Sequence, residues 1–390
     1  MSEWSTSPLH EVLEFREGPG IMASEFRDSG TPLIRLAGLK SGASLLARCN
    51  YIDDELVARR YPHFRLERGD VLLSTSASLG EVATVKDEGA GAIAYTGIIA
   101  FRPKGELIDA RFIEWILRSP GLKDQIESMG VGSVMKHFGP SHLRSMHVTY
   151  PDKPSQRAIA EVLGALDDKI AANTAIVSAS DSFARSLYRS LQISELIPLS
   201  ELFAEKRISA SPSQASGQVK YVGLEHLDRR KMWLSKSGSV SDVTSQKKSF
   251  ECGDVLFGKL RPYFHKIALA PFSGICSTDI IVLSARDPLT ADLAAVAVAD
   301  DAVIDAATAS SEGTRMPRTS WKSLRNVTVP WPSRSAAIAA SETLADLTAM
   351  VHALDDEAHE LGRLRDALLP ALMSGKLRVK DAERAVEDVL

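Results

Sequence analysis

Two long stretches of the chain place apolar residues alternately four and three positions apart. This spacing is typical of a heptad seam, the stripe along which one helix packs against another. The first stripe runs from Ile159 to Leu191, and the second repeats its register 181 residues further on. At about 1.5 Å per residue, the first stripe predicts a helix roughly 48 Å long, which is too long to pack on one small domain.

The simplest way to bury both stripes is against each other, as an antiparallel coiled coil with the left-handed twist that a seven-residue period imposes. The alternative is that each helix packs separately in its own domain core. Asn173, Ser180 and Arg365 put polar groups in the stripes, and such positions often fix register at some cost in stability. The larger apolar members of the stripes are Ile159, Leu163, Leu166, Ile170, Val177, Leu187 and Leu191, followed by Leu344, Leu347, Val351, Leu354, Leu361, Leu368 and Leu372.

Ahead of each long helix the pattern changes to short apolar runs bounded by Gly or Pro, which is typical of strands. Helical periodicity follows these runs in both halves of the chain. The predicted strands are 70–74, 81–85 and 95–101, with counterparts at 254–257, 266–270 and 279–283. The predicted helices are 112–118 and 122–129, with counterparts at 292–299 and 302–309. Each half therefore predicts an α+β domain.

Short motifs recur in the same order in the two halves. Gly69-Asp70-Val71 returns as Gly253-Asp254-Val255, 184 residues later. A period near 180 is far longer than the repeat of a solenoid, so the pattern indicates a duplicated domain. The predicted boundaries are 1–152 and 197–333 for the two tandem α+β domains, 153–196 and 334–376 for the two long helices, and 377–390 for a C-terminal tail.

The composition is that of an ordinary folded protein. Hydrophobic residues make up 44% and charged residues 25% of the 390 positions, which argues against wholesale disorder. No apolar run reaches the roughly 18 residues of a spanning helix, and residues 1–10 lack the apolar core of a signal peptide. We therefore expect a cytoplasmic protein that does not contact a membrane. The three cysteines are far apart and fit neither a disulfide framework nor a zinc site.

Charge is distributed unevenly along the chain. The net charge of −4 counts against a protein that coats nucleic acid without sequence preference, because phosphate neutralisation requires many cations on one face. Residues 220–271, however, contain ten basic and five acidic side chains, a local excess of five positive charges. This stretch is the best electrostatic footprint for nucleic acid in the chain, and a charge-rich solvated face is the alternative.

The sequence lacks the motifs of an enzyme. A methyltransferase acting on base amino groups needs a cofactor loop and an Asn/Asp-Pro-Pro-aromatic loop, and neither is present. Ser374-Gly375-Lys376 resembles the end of a phosphate-binding loop, but Pro370 stands where the leading glycine belongs. The nine histidines show no metal-ligand spacing, and no Ser, His and Asp group stands out. We expect this chain to bind no cofactor and no metal.

A proline-rich turn leads into the first long helix. Pro151 and Pro154 are followed by Gln156-Arg157, which opens the apolar stripe. The chain resembles the DNA-specificity subunits of type I restriction-modification systems. The resemblance is carried by this turn, by the Gly-Asp-Val strands and by segments 32–39 and 364–377. The resemblance covers nearly the whole chain, in the family's order of target-recognition domain, long helix, target-recognition domain, long helix. The second helix departs from it, because Ser335-Ala336-Ala337 stands where the Gln-Arg pair would recur.

This resemblance implies two target-recognition domains that each read one part of a bipartite double-stranded DNA target, with the helix pair setting the gap. It also implies partners: modification subunits that carry S-adenosylmethionine and methylate adenine, and restriction subunits that translocate and cleave with ATP and Mg²⁺. The chain itself would be non-catalytic. Two alternatives stay open, a standalone DNA-binding regulator and a coiled-coil adaptor without restriction-modification partners.

Direct readout of DNA requires donors and acceptors at base edges, supported by phosphate contacts. The loop 258–263 between two strands combines cations with an aromatic residue, whereas its counterpart, 75–78, is uncharged, as expected if the copies read different sequences. Two further loops follow Gly132-Ser133 and Gly313-Thr314. For any single residue, a solvated or core-packing role is the alternative. The candidate DNA-binding residues are Lys259, Arg261, Tyr263, Lys136, His137, Arg315, Arg318, Lys247, Lys248, Arg229 and Arg230.

Overall fold

The computed structural model describes residues 4–41, 44–76, 79–128, 138–212, 219–313, 316–387 and 389. The chain divides into two compact units. Unit 1 consists of Met1–Ala172 and Ala358–Leu390, and unit 2 consists of Asn173–Glu357. Each unit therefore contains one α+β domain and a part of each long helix.

Among its described residues, unit 1 has two four-stranded sheets and one separate strand pair. One sheet has the antiparallel order β2-β9-β6-β7, and the other has the order β3-β5-β4-β8, in which β4 and β8 are parallel. Strand β1 pairs with β10 beside the start of the first long helix. The strands are β1 (Ser5–Pro8), β2 (Leu13–Glu17), β3 (Phe26–Arg27), β4 (Thr31–Ile34), β5 (Asn50–Ile52), β6 (Val71–Ser74), β7 (Val82–Thr84), β8 (Ile93–Ala94), β9 (Ile98–Pro103) and β10 (His147–Tyr150).

The first sheet of unit 1 packs its apolar face against helices. Phe101 on β9 and Phe112 at the start of the following helix are fully buried in this core. All four residues of β6 are buried, as its uninterrupted apolar run predicts. The helices are α1 (Leu9–Val12), α2 (Leu36–Ser41), α3 (Asp54–Arg60), α4 (Ile113–Arg118), α5 (Pro120–Ser128), α6 (Pro140–Leu143) and the long helix α7 (Lys153–Ser190).

Unit 2 repeats this architecture. Its strands are β11 (Ile193–Pro198), β12 (Phe203–Lys206), β13 (Ser209–Ala210), β14 (Lys220–Val222), β15 (Gly238–Ser239), β16 (Lys247–Phe250), β17 (Val255–Gly258), β18 (Ile267–Leu269), β19 (Gly274–Cys276), β20 (Ile280–Ala285) and β21 (Thr328–Pro332). Its helices are α8 (Leu199–Leu202), α9 (Ala291–Val298), α10 (Asp301–Ala309), α11 (Trp321–Leu324) and the long helix α12 (Arg334–Met373). A last helix, α13 (Val379–Glu387), belongs to unit 1.

The duplication extends to strand order. The sheet β12-β20-β17-β18 has the same order as β2-β9-β6-β7, and β11 pairs with β21 as β1 pairs with β10. In the second sheet, both copies share a parallel pair, β4 with β8 and β14 with β19. The copies extend this sheet differently, because β3 adds to β5 in unit 1, whereas β16 and β13 add beyond β19 in unit 2. The two copies therefore share the strand order of the first sheet and the parallel pair of the second sheet, and they differ in the other strands of the second sheet.

The Gly-Asp-Val motif makes the same turn ahead of β6 and β17. Gly69 and Gly253 have φ of +92° and +85°, a backbone region that favours glycine. Asp70 and Asp254 are each 3% exposed. Each carboxylate accepts a hydrogen bond from the backbone N–H three residues earlier and pairs with a neighbouring cation. Folding alone explains the recurrence of the motif.

The long helices pair in both units. In unit 1, Ile159 and Leu163 near the start of α7 share a core with Leu368 and Leu372 near the end of α12. In unit 2 the order is reversed, since late residues of α7, such as Ala184, share a core with early residues of α12. This order is that of an antiparallel pair. The predicted fold class, two α+β domains with an antiparallel pair of long helices, is confirmed.

Burial along the stripes is uneven. Asn173 is 2% exposed, and its Nδ2 donates to Leu354 O (3.3 Å) and to Glu357 Oε2 (2.6 Å). In unit 1, Arg365 donates to Asp167 Oδ1 at 2.5 Å. These two polar positions of the stripes are therefore satisfied and tie one helix to the other. The buried apolar members are Ile159, Leu163, Leu166, Leu344, Val351, Leu361, Leu368 and Leu372, and the half-buried members are Ile170, Val177, Leu187, Leu191, Leu347 and Leu354.

Two helix ends differ from the predicted boundaries. Helix α7 ends at Ser190 rather than 196, because Ile193–Pro198 forms strand β11 and pairs with β21. Helix α12 ends at Met373 rather than 376, and Gly375 follows with φ of +70°. The predicted C-terminal tail contains helix α13, whose Ala382 and Val386 are buried in the unit 1 core. Apolar spacing within the tail could have predicted this helix.

The Gln-Arg pair forms hydrogen bonds between the start of α7 and its domain. Gln156 is fully buried, and its Oε1 accepts from the backbone N–H of Asp109 at 2.8 Å. Its Nε2 donates to Leu107 O (2.9 Å) and Pro151 O (2.8 Å). Arg157 Nε donates to Asp109 Oδ2 at 2.7 Å. The pair is therefore a structural anchor between the domain and the helix.

The second copy replaces this anchor with another. Ala337 is fully buried near the start of α12, where a long amide side chain would not fit. Arg334 Nη1 instead lies 3.0 Å from Asp287 Oδ2, and Asp287 caps a short 3-10 turn as Asp109 does in unit 1. The ion pair between domain and helix thus survives without the Gln-Arg sequence.

Candidate nucleic-acid interface

Three loops of unit 2 meet beyond the end of β17. The backbone N–H of Lys259 donates to Asp279 O (2.8 Å), and that of Thr319 donates to Lys259 O (3.0 Å). The backbone N–H of Arg261 donates to Pro317 O at 2.8 Å. Two loops that the sequence predicts as separate candidates are thereby joined. We call this surface the unit 2 junction, defined as residues 258–265, 277–279, 312–313 and 316–319.

The same loops meet in unit 1. The backbone N–H of Thr75 donates to Gly97 O (2.8 Å), and that of Phe138 donates to Thr75 O (3.4 Å). These residues precede their unit 2 counterparts by 184, 182 and 181 positions, in the range between the two offsets of the sequence duplication, 181 and 184. The hydrogen-bonded frame is therefore common to both copies. We call this surface the unit 1 junction, defined as residues 75–76, 95–97 and 138.

The unit 2 junction carries three of the predicted residues close together. Lys259 is half-buried, and its Nζ donates to Thr278 O at 2.8 Å. Arg261 has a left-handed φ of +49°, its guanidinium carbon lies 5.8 Å from the Phe264 ring centroid, and its Nε has no hydrogen-bond partner in the described part of the chain. Tyr263 is 50% exposed. The junction therefore places two half-buried cations, one of which has a buried Nε without a partner in the described part of the chain, beside an exposed aromatic ring.

Arg229 and Arg230 reach the same junction from another loop. The guanidinium carbon of Arg229 lies 3.8 Å from the Phe264 ring centroid, so Arg229 and Arg261 both contact this ring. Arg230 has φ of +58°, and its Nη1 lies 3.0 Å from Asp301 Oδ1. Both side chains are exposed. Arg229 adds a stacked cation to the junction, whereas Asp301 compensates the charge of Arg230.

His265 is a residue of this junction that the sequence did not single out. It is 2% exposed, has φ of +52°, and its Nε2 is 2.9 Å from Ala299 O. Burial lowers the pKa of His265, and the positive charges of Arg185 and Arg230 lower it further. The buried ring braces the end of the 3-10 turn that carries Tyr263. A histidine after two aromatic residues is the only signal the sequence offers.

Lys247 and Lys248 are placed differently from the prediction. Lys247 is 6% exposed, and its Nζ donates to Ser245 O at 2.9 Å. Lys248 is half-buried, and its Nζ donates to Ile280 O at 2.9 Å. Burial lowers the pKa of the Lys248 ammonium, and the charge of Lys259 adds to this shift. Both ammonium groups bond to carbonyl oxygens of the chain, which makes these lysines poor candidates for a DNA contact.

The remaining candidates belong to the third loop of each junction. Arg318 is exposed, and its Nη2 lies 3.7 Å from Asp279 Oδ1. Lys136, His137 and Arg315 lie outside the described residues. Phe138, directly after His137, is 4% exposed and forms part of the unit 1 junction.

Arg35 is a second residue that the sequence did not single out. It follows β4, and its guanidinium carbon lies 4.3 Å from the Tyr95 ring centroid and 5.8 Å from that of Phe26. Its Nη1 donates to Asn50 Oδ1 at 2.5 Å. Since Tyr95 belongs to the unit 1 junction, Arg35 brings a cation to a surface whose own loop 75–76 has none.

With Arg35 included in unit 1, both junctions combine charged, polar and aromatic groups. They offer guanidinium groups, hydroxyls, backbone amides and aromatic faces, the groups that contact phosphates and base edges. Within the described ranges, no three His, Cys, Asp or Glu side chains come together in a way that could hold a metal ion. None of the helices in those ranges is long and apolar enough to cross a membrane.

Comparisons with known proteins agree with this architecture. Residues 1–178 match the family model of the type I restriction modification DNA specificity domain. The specificity subunit of the type I restriction enzyme MjaVIII from Methanocaldococcus jannaschii is 23% identical over 172 residues, 43% of this chain and 40% of that relative. The specificity subunit of the enzyme EcoDI from Escherichia coli is 22% identical over 269 residues, 58% of this chain and 60% of that relative. The matches thus span less than two thirds of either relative.

A solved structure shares the fold over nearly the whole chain. The S subunit of a type I restriction-modification system from M. genitalium superposes with a TM-score of 0.60 at 15% sequence identity. The superposition covers 95% of this chain and 96% of that one. With the family match over residues 1–178 and this shared fold, the chain is similar to the DNA-specificity subunits of type I restriction-modification systems.

Proposed function

We propose that this chain is the non-catalytic subunit that selects the DNA target of a type I restriction-modification complex. Each α+β domain reads one part of a bipartite double-stranded target through its junction. The observation that carries this proposal is the duplicated frame: the hydrogen bonds of Thr75 and Phe138 recur at Lys259 and Thr319, while the side chains differ. A common frame with different side chains is what two readers of different sequences require.

The helix pair sets the distance between the two parts of the DNA target. Helices α7 and α12 have 38 and 40 residues, which at about 1.5 Å per residue gives each a length of roughly 60 Å. A buried polar contact such as that of Asn173 fixes the register of such a pair. The register in turn defines the gap between the two parts of the target.

The chemistry comes from partner subunits. Modification subunits carry S-adenosylmethionine and methylate adenine, and restriction subunits use ATP and Mg²⁺ to translocate and cleave. The relatives that support this assignment carry the words "specificity subunit" in their names. The exposed faces of α7 and α12 serve as the docking surface for these partners, in the cytosol where the DNA lies.

Single-molecule methylation mapping of DNA from cells that contain this chain and its partner subunits tests the proposal. The expected result is adenine methylation in a split motif, with two short specific parts separated by a spacer of fixed length and free sequence. Methylation that does not depend on this chain, or a continuous motif, contradicts the proposal. Sequence-specific binding without methylation would indicate a standalone regulator, and the absence of any sequence preference would indicate a coiled-coil adaptor.

A further inference from the structure

Arg35 is fixed in an aromatic corner of unit 1. Phe26 and Tyr95 form the corner, with ring centroids 6.4 Å apart and planes inclined by 68°. The guanidinium stacks most closely on Tyr95, at 4.3 Å, and donates through Nη1 to Asn50 Oδ1. Tyr95 is itself held by a hydrogen bond from its hydroxyl to Ile21 O. The orientation of the guanidinium plane is therefore set before any ligand arrives.

Among the described residues, no acidic side chain forms an ion pair with Arg35. Arg102 pairs with Asp70, and Arg118 pairs with Glu114, as buried or half-buried arginines of a folded domain usually do. Across the described residues, by contrast, no carboxylate lies within 4 Å of Arg35, and its Nε and Nη2 have no hydrogen-bond acceptor. A stacked, uncompensated guanidinium with free donors is arranged to receive an acceptor from outside the chain.

Arg35 is attached to the unit 1 junction through the backbone. The N–H of Tyr95 donates to Ile34 O at 3.0 Å, directly before Arg35. Gly97, two residues after Tyr95, accepts the hydrogen bond from Thr75 that closes the junction. Arg35 therefore lies beside the loops that are proposed to face DNA.

The equivalent corner of unit 2 lacks these groups. The parallel strand pairs align Ile34 with Ala94 in unit 1, and Val222 with Cys276 in unit 2. The next residues are Arg35 and Tyr95 in unit 1, where unit 2 has glycine and serine at 223 and 277. The corner thus differs between the copies although the strands that carry it are shared. If the arginine and tyrosine had a structural role that the fold requires, we would expect both copies to have them.

We propose that Arg35 reads a guanine in the part of the target bound by unit 1. A guanidinium whose plane is fixed can donate two parallel hydrogen bonds to O6 and N7 of guanine in the major groove, the commonest specific contact of arginine. Stacking and the Asn50 bond lower the entropy lost on binding. The same planar fork can bind a phosphate, but phosphate contacts carry no sequence information, so a group present in only one of the two copies favours a base contact. This assignment rests on the proposed function, because it requires that unit 1 contacts DNA.

The test maps adenine methylation in cells that contain the partner subunits and either the native chain, Arg35→Ala, Arg35→Lys or Arg59→Ala. Arg59 is an exposed arginine on α3 of the same unit and serves as the matched loss of charge. In Arg35→Ala, one G·C position in one part of the motif should lose its preference for guanine by about tenfold to a hundredfold. Arg35→Lys should relax the same position, because an ammonium lacks the planar fork. The other part of the motif and Arg59→Ala should remain unchanged.

Three results would overturn the assignment. A uniform decrease in methylation that Arg35→Lys restores would indicate a phosphate contact. A loss at both parts of the motif, with a lower melting temperature of the purified chain, would indicate that Arg35 only packs the domain. Unchanged base preferences would show that Arg35 does not read DNA. If the native chain itself gives no split motif, the proposed function fails, and this outcome is distinct from the other three because it precedes any substitution.

Discussion

The junctions of the two units share backbone hydrogen bonds and differ in their cations. In unit 2 the cations lie on the loop after β17, at Lys259 and Arg261, whereas in unit 1 the corresponding loop starts with Thr75-Ser76. Unit 1 instead carries Arg35 after β4, where unit 2 has glycine. Duplicated domains can therefore diverge by moving charge from one loop to another while the hydrogen bonds between loops are kept. Residue types at one aligned position are a poor guide to the charge that each junction carries.

The largest expected effect comes from changing the two long helices, which are proposed to set the spacing between the two parts of the target. Two residues inserted into α7 alone, between Ile170 and Val177, rotate the following stripe by about 200° and should abolish methylation. A heptad inserted there, with a matching heptad between Val351 and Ala358, keeps both stripes on their partners. This balanced variant should keep both specific parts and widen the spacer by roughly 10 Å, or about three base pairs. Methylation mapping measures both outcomes.

An active balanced variant with an unchanged spacer would show that something other than these helices sets the separation. Loss of activity in both variants, with normal helical circular dichroism, would point to disrupted partner docking. Neither result would alter the assignment of the junctions.

The next effect concerns the unit 2 junction alone. Replacing Lys259 and Arg261 together with Ala should relax readout of one part of the target and leave the other intact, because both residues belong to unit 2. The loss of a good bidentate base contact costs about 1–3 kcal/mol of discrimination. A competition assay at fixed salt, with duplexes mutated in either part, measures the change. The control is Lys322→Ala, which removes an exposed cation from α11 of the same unit and should leave both readouts unchanged.

Substitutions in the two junctions can be compared for the part of the motif that each relaxes. The part of the motif relaxed by Lys259→Ala with Arg261→Ala should be the part that Arg35→Ala leaves unchanged. If both sets of substitutions relax the same part, the idea that each unit reads its own part is wrong, although both loops would still contact DNA.

The smallest expected effect is on the stability of unit 2 as a function of pH. Burial lowers the pKa of His265, so the folded state favours the neutral ring. Stability from this group is therefore complete above the ordinary histidine pKa near 6.5 and is lost as the pH falls below it, because the unfolded chain takes up the proton first. The loss is at most about 1.4 kcal/mol per pH unit. Asp301, Arg185 and Arg230 face the ring and contribute to its shift.

Thermal melts of the native chain and of His265→Gln between about pH 7.5 and 5.5, the range that brackets the ordinary histidine pKa, measure this effect. The native chain should lose more stability on acidification than the variant does. Equal slopes would show that protonation of His265 costs the folded state no stability.

The sequence is a good guide to the candidate loops and a poor guide to individual side chains. Residue type and position between strands predict loop 258–263, and the duplication predicts its partner loops. Lys247 looks like a surface lysine in the sequence, but contacts with Ser245 and Tyr221 bury it. Arg35 gives no local signal, because Tyr95, on which it stacks, is 60 positions away in the chain. Burial and stacking depend on such distant neighbours.

The sequence by itself determined the duplication, the two long helices and their stripes, because apolar periodicity and turn residues are local properties that act wherever the segment is placed. Tertiary structure alone decided that α7 ends at Ser190, since the strand that follows pairs with β21, which lies far along the chain. It also decided which cations remain free to contact a ligand. That choice depends on the carbonyls, carboxylates and rings that the fold brings to each side chain, and these come from loops far apart in the sequence.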